Sequence, residues 1–217
     1  MIVTIDGPAG AGKSSIAHQV AEELGFEFLD TGAMYRAVTW AAMTAGIDML
    51  DVAALVEFAD RSELHWVDNR IWINGLDATE HIRTPEVTAV ISAVADQPVI
   101  RAKLSDHQRR LAQGRDIVTE GRDQGAEVFP DAPCKIFLTA SPLERARRRQ
   151  KQLADAGRDA TMDEILDAQN RRDQEDESRE VGRLRAAEDA VVVNTDGMTH
   201  SEVLQAVLSV VQDTRAK

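Results

Sequence analysis

Eight consecutive residues, Gly7-Pro8-Ala9-Gly10-Ala11-Gly12-Lys13-Ser14, satisfy the phosphate-binding pattern G-x-x-x-x-G-K-[ST]. The residue types dictate the chemistry. Glycines leave room for backbone N–H groups to wrap an anion, and a helix starting directly behind the loop aims its partial positive charge at the same point. Lys13 would reach the β- and γ-phosphates of a nucleoside triphosphate, and the Ser14 hydroxyl would ligate Mg²⁺. Gly7, Pro8, Ala9, Gly10, Ala11, Gly12, Lys13, Ser14 and the following Ser15 form the candidate ATP-binding set, with Lys13 also catalytic. A glycine-rich turn without a ligand is the alternative, and the agreement of strand, loop, Lys-Ser pair and helix argues against it.

Such a loop says nothing about where the γ-phosphate goes. No N-K-x-D run is present to read guanine, and the length is too short for a motor or transporter ATPase, so a small-molecule kinase leads. A hydroxyl acceptor needs a base beside it, whereas a phosphate acceptor needs cations that neutralise and aim it. The sequence is rich in such cations. Arg36 follows Asp30-Thr31-Gly32-Ala33-Met34-Tyr35, and Arg122 with Asp123 follows Glu120-Gly121. Arg145, Arg147, Arg148 and Arg149 crowd one helical segment. Arginine suits bidentate phosphate binding. Arg36 or Arg122 alone could equally be structural, and the cluster could be a solvated face paired with Glu144. An alcohol kinase with Asp123 as base, and a regulator that binds nucleotide without turnover, stay open as alternatives.

These residues need a scaffold that brings loops to one edge. Short apolar runs alternate with longer helical patterns, which predicts an α/β chain with a parallel sheet. Met1 to Asp6 reads as the first strand, and Ile16, Val20 and Leu24 recur along the helix that ends at Gly25. Phe26 to Leu29, Ile117 to Thr119, Lys135 to Leu138 and Ala190 to Val193 read as buried strands, and 34–45, 142–156, 162–176 and 199–215 as helices. The middle differs. Leu64 to Val67 and Arg70 to Ile73 alternate around Asp68-Asn69, and Asn74-Gly75 turns the chain again toward Leu76, which signals antiparallel strands in an inserted lobe at about 60–100. Arg158 to Asp163, after Gly157, reads either as a mobile loop between two helices or as a plain surface connection.

Composition narrows the partners. The 217 residues carry 25 Lys and Arg against 37 Asp and Glu, a net charge of −12. That balance argues against a nucleic-acid polymer or an anionic membrane as partner, both of which are held through lysine and arginine. Five Phe, one Tyr and three Trp leave few platforms for stacking bases. One cysteine, Cys134, sits in an apolar run, so a buried thiol is expected. The five histidines are scattered without ligand spacing, and the expected chain is cytoplasmic, with no leader peptide and no membrane span.

With these residues in view, the chain resembles the bacterial cytidylate kinase family over nearly its whole length. The motifs run in order: Ile5-Asp6-Gly7-Pro8 into the phosphate loop, Thr31-Gly32-Ala33-Met34-Tyr35-Arg36, then Ile82-Arg83-Thr84-Pro85-Glu86-Val87. Pro98-Val99-Ile100-Arg101, Gln108-Arg109, Gly121-Arg122-Asp123, Val128-Phe129-Pro130-Asp131-Ala132, Ile136-Phe137-Leu138 and Glu144-Arg145-Ala146 follow, with Arg172-Asp173, Asp176, Ser178 and Arg179 last. The resemblance implies a single three-layer P-loop NTPase domain over 1–217. Its parts would be a core at about 1–59, 101–144 and 177–217, a lobe binding the nucleoside monophosphate at about 60–100, and a helical lid at about 145–176. It implies transfer of the γ-phosphate of ATP to CMP or dCMP, with Mg²⁺, by a monomer. Arg36 and Arg122 would hold the acceptor phosphate; Thr31, Arg101, Asp123 and Arg179 would face cytosine; Ser92, Arg172 and Asp176 would surround the sugar. Arg148 and Arg149 resemble lid arginines that stabilise charge in flight. Four positions depart from the family pattern: Thr31 stands for Ser, Glu120 for Asp, Ala126 for Thr and Arg183 for Pro.

Overall fold

The computed structural model describes residues 1–67 and 70–216. They form two compact units, 30–111 and the remainder of the chain on either side of it. The larger unit is built on a five-stranded sheet in the order β2-β6-β1-β7-β8, comprising β1 (Ile2–Asp6), β2 (Glu27–Asp30), β6 (Ile117–Gly121), β7 (Cys134–Thr139) and β8 (Val191–Asn194). The pairings of β1 with β6, β1 with β7 and β7 with β8 are all parallel. Parallel strands need long crossovers, and these are helical: α1 (Lys13–Leu24) follows β1, while α7 (Pro142–Asp155) and α8 (Met162–Ser178) separate β7 from β8, and α9 (His200–Arg215) closes the chain.

The reason for these elements is legible in burial. β1 is central, and Val3 and Ile5 are fully buried among Ile16, Ala17 and Val20 of α1, Ile136 and Leu138 of β7 and Val207 and Val211 of α9. Cys134 is buried in the same cluster, and burial raises its thiol pKa. Gly25 stops α1 in a left-handed conformation, φ 66°, that costs a glycine little. All five strands begin or end a residue or two away from the sequence reading, which is ordinary fraying of element ends. One expectation fails. The strand near 190 is not buried: β8 is the outer strand, with β7 on one side only, and Val191 and Val192 are 46% and 58% exposed.

The smaller unit carries an antiparallel sheet of β3 (Leu64–Val67), β4 (Arg70–Ile73) and β5 (Leu76–Asp77), in that order. The Asp68-Asn69 turn between the first two strands lies outside the described residues. The next turn is explicit: Asn74 and Gly75 take φ 51° and 78°, the positive values that a tight hairpin requires at both central residues. Around the sheet lie α2 (Thr31–Thr44), α3 (Val52–Arg61), α4 (Pro85–Val90), α5 (Ser92–Ala95) and α6 (Pro98–Ala112). Asp30 caps α2 by accepting from Ala33 N at 2.9 Å. Among the described residues no helix is long and apolar enough to cross a membrane.

Candidate active site

In the larger unit two loops leave adjacent strand ends, because β1 and β6 pair in a register that places Asp6 opposite Gly121. This is the edge at which open α/β sheets bind ligands. The first loop is Gly7 to Gly12. Gly7 has φ 147°, and a Cβ there would land on the Leu138 carbonyl oxygen, so no other residue fits. Gly12 takes φ 91° and opens α1 with no side-chain cap, so the first N–H groups of the helix are left to a ligand.

Lys13 is buried, and its Nζ donates to Pro8 O at 2.9 Å across the loop it closes. Burial lowers its pKa from 10.5 to about 7, helped by the charges of Arg122 and Arg172 and opposed by Glu120 and Asp6. The loop therefore holds a lysine whose charged form burial disfavours. Ser14 Oγ donates to Glu120 Oε1 at 2.9 Å, so the predicted metal ligand and a carboxylate from β6 lie side by side. Ser15, exposed, bonds its own turn at Gly12 O, 3.0 Å.

The second loop starts at Arg122. Its Nε donates to Asp176 Oδ2 at 2.7 Å, and Arg179 donates to the other oxygen, Asp176 Oδ1, at 2.6 Å. Asp176 is 3% exposed. Burial opposes its charge, but Arg122 and Arg179 outweigh that and hold its pKa below the usual carboxylate range. The structure thus brings together three residues from the predicted set, Arg122, Asp176 and Arg179, while Arg172 from the same helix is close enough to act electrostatically on both Lys13 and Asp176. Asp123 is buried and begins a turn described below.

The arginine cluster on α7 divides. Arg145, 4% exposed, turns inward: it donates to Ala140 O at 3.1 Å and to Ala9 O of the phosphate loop at 2.8 Å, and its NH2 lies 2.6 Å from Asp173 Oδ2. Gln169, one turn before Asp173 on α8, packs over Gly10. Arg148 is bound to Glu144 Oε1 at 3.0 Å and to Thr195 through Oγ1 and O at 2.9 and 2.7 Å. Arg147 and Arg149 are exposed. Sequence reasoning singled out Arg148 and Arg149 and missed Arg145 as a partner of the loop; the apolar face of α7, which includes buried Ala146 beside Arg145, was the available signal. Asp6 stands in the Ile5-Asp6-Gly7-Pro8 run but was given no role there, and Gln169 carries no motif at all.

In the smaller unit Thr31 is buried at the start of α2, and Arg36, one turn on, donates to Thr88 Oγ1 at 2.8 Å and to Ile82 O at 3.3 Å. Arg101 of α6 is buried, donates to Ala95 O at 2.9 Å and lies 5.2 Å above the Tyr35 ring. Ser92 opens α5. These four predicted residues come from three different helices of the unit, and Thr31, Tyr35 and Arg36 share α2.

Comparison with known proteins gives the chain its relatives. A family model described as cytidylate kinase matches residues 3–213. A cytidylate kinase of Rhodopirellula baltica is 66% identical over 213 residues, 98% of this chain and 93% of that protein. A cytidylate kinase of Mycobacterium leprae is 46% identical over 213 residues, covering 98% of this chain and 96% of its own length. Among solved structures, a shikimate kinase of Bacteroides thetaiotaomicron covers 100% of this chain and 99% of its own, with TM-score 0.51 and 14% identity, a likeness of fold alone.

Proposed function

We infer that this chain, which belongs to the cytidylate kinase family, is a nucleoside monophosphate kinase that transfers the γ-phosphate of ATP to CMP and dCMP. The observation that carries the reading is Arg122: it leaves the strand end next to that of the phosphate loop and is held, almost buried, by Asp176. A fixed guanidinium there suits an anionic acceptor better than an alcohol. Asp123 as base for a hydroxyl is not favoured, since the shikimate kinase likeness extends to fold only.

Roles follow from the chemistry. The N–H groups of Gly7 to Ser15 and the Lys13 ammonium bind the donor phosphates, and the triphosphate restores to Lys13 the charge that burial weakens. Arg36 and Arg122 hold the acceptor phosphate. Thr31, Arg101, Asp123 and Arg179 face the base, where a carboxylate can accept from the N4 amino group of cytosine, and uracil would present an acceptor there instead. Ser92, Arg172 and Asp176 surround the sugar. Arg148 and Arg149 stand with the lid segment, 145–176; the lobe for the monophosphate is 60–100, and the core is 1–59, 101–144 and 177–217.

Ser14 and Glu120 fit a magnesium ion: a hydroxyl and a carboxylate, both hard oxygen donors, already neighbours at 2.9 Å. Bound there, Mg²⁺ would neutralise charge on the β- and γ-phosphates. Glu120 stands where the family pattern has Asp, and brings one more methylene of reach. We take the protein to work as a cytoplasmic monomer on small nucleotides, without nucleic-acid polymers or membranes.

The test is ADP release from Mg-ATP with CMP, dCMP, UMP, AMP, GMP, shikimate and gluconate in parallel. Turnover with CMP and dCMP above UMP is expected. Turnover with shikimate or gluconate and none with CMP would overturn the reading, and ATP binding without any turnover would favour a regulator.

A further inference from the structure

After β6 the chain does not enter an ordinary helix. Residues 124–128 make one wide π-helical turn, with Val128 N donating to Asp123 O at 3.2 Å and Phe129 N to Gln124 O at 2.7 Å. Such turns are rare and gather at functional sites, and this one is supported from outside itself. Here the support is Asp6. Its Oδ1 accepts from Gln124 N at 2.9 Å and its Oδ2 from Gly125 N at 2.7 Å, so one carboxylate takes two of the N–H groups that open the turn. Gln124 is fixed a second time, by Thr119 Oγ1 donating to its Oε1 at 3.0 Å. Gly125 must lack a side chain, since a Cβ would lie 2.7 Å from Thr4 Oγ1. At the far end Glu127 accepts from Gly182 N at 2.8 Å, three residues beyond Arg179.

Arg122 and Asp123 are the two residues between these anchors. On their N-terminal side Gly121 is opposite Asp6 in the sheet; on their C-terminal side Gln124 and Gly125 hang from the Asp6 carboxylate. Asp6 is also the residue before Gly7, where the phosphate loop begins. Burying a carboxylate at 3% exposure is costly and is not needed to pair two strands.

We propose that Asp6 is a positioning residue that fixes the Arg122–Asp123 segment relative to the phosphate loop, so that the group holding the acceptor phosphate keeps its separation from the groups holding the donor. The proposal rests on the reading of Arg122 as the acceptor-phosphate clamp. Displacing reacting groups by about 1 Å costs on the order of 100-fold in rate, so a loosened segment would show in kcat and in the KM for CMP before it shows in ATP binding.

The experiment compares Asp6→Asn, which keeps one acceptor oxygen and faces the other N–H with an amide, with Arg122→Ala. For each, the melting temperature, the Kd for ATP without acceptor, and kcat with the KM for CMP are measured. In folded Asp6→Asn we expect kcat to fall about 10- to 100-fold and the KM for CMP to rise about tenfold, while the Kd for ATP moves less than about threefold. Unchanged CMP kinetics in a folded Asp6→Asn, or a loss of ATP affinity as large as that for CMP, would overturn the proposal. If Arg122→Ala itself leaves the KM for CMP unchanged, the reading of Arg122 fails and the proposal fails with it; if only Asp6→Asn is silent, the proposal fails alone. Should Asp6→Asn not fold, Gly125→Ala decides: it presses the same turn against Thr4, should raise the KM for CMP, and should be relieved by Thr4→Ala in the double variant. A Gly125→Ala with wild-type CMP kinetics overturns the proposal.

Discussion

The loop Gly7 to Gly12 and the loop Arg122 to Val128 leave neighbouring parallel strands at the same end of one sheet, yet they are held in opposite ways. The first is shaped mainly by its own neighbours: glycines supply φ values that other residues avoid, the helix behind supplies its N-terminal N–H groups, and Lys13 closes onto Pro8 five residues away, with Arg145 adding a long-range hydrogen bond to Ala9 O. The second is shaped by distant residues, 118 and 119 positions back at Asp6, and 55 positions on at Gly182. A donor site can be local because every triphosphate presents the same oxygens. An acceptor site must be aimed, and aiming requires fixed points elsewhere in the fold.

The largest test of the self-contained loop is Lys13→Ala. Losing the buried cation proposed to meet the transferring phosphoryl group should lower kcat by roughly 10²–10³-fold, with a melting temperature near that of the wild type, since the loop's shape rests more on its glycines than on the single Lys13–Pro8 hydrogen bond. Steady-state ADP release and a thermal melt on the same sample decide it. A collapse of the melt together with activity would mean that the loop leans on its lysine for shape.

For the aimed loop the corresponding change is Asp176→Ala, which leaves Arg122 and Arg179 without the carboxylate between them. Breaking a buried ion pair from one side costs about 3–5 kcal/mol, and the lower end is expected here because the two guanidiniums keep 17% and 11% side-chain exposure. Urea unfolding measures it. A loss under about 1 kcal/mol would show that solvent already screens this triad.

pH separates the loops further. Free Lys13 has its pKa lowered to about 7 by burial and by Arg122 and Arg172, and bound triphosphate favours the charged ammonium. Above about pH 7 binding must therefore take up a proton, and ATP affinity should weaken by up to about tenfold per pH unit until the pKa of the bound form is passed. Titration calorimetry in two buffers of different ionisation enthalpy reads the proton directly, and Lys13→Ala should abolish it. The same depression means that the unfolded chain binds more protons between about 7 and 10.5, so the ligand-free fold gains stability as pH rises through that window.

What could be read from the sequence follows the same division. The phosphate loop, the strands and helices of the larger unit, and the Asn74-Gly75 turn are encoded by neighbours in the chain, and each stands within a few residues of where the spacing predicts, whereas α3 to α6 of the smaller unit were not read. Arg122, Asp176 and Arg179 were recognisable as a set only through family resemblance, because nothing local says that residue 122 will meet residue 176. The π-helical turn, the inward course of Arg145 and the role of Asp6 were not legible at all. Each depends on a backbone group or carboxylate brought up by the fold, and periodicity carries no trace of it. The exposed β8 fails for the reverse reason: a run of valines looks the same at a sheet's edge as at its centre until strand order is known.

The smallest effect is expected at the far anchor of the aimed loop, and it discriminates most finely. Glu127→Gln keeps the shape and an acceptor oxygen for Gly182 N but removes the charge from that 2.8 Å hydrogen bond. A hydrogen bond to a charged group exceeds a neutral one by about 1 kcal/mol, so stability should fall by no more than that. If Gly182 is a fixed point for Arg179, the KM for CMP should still rise a few-fold while the Kd for ATP stays put, because slack at Gly182 reaches Arg179, the arginine proposed to face the base, three residues earlier and leaves the phosphate loop alone. If instead both constants hold, the anchors that aim Arg122 end at Asp6 and Asp176, and the wide turn needs only one side of its support to do its work.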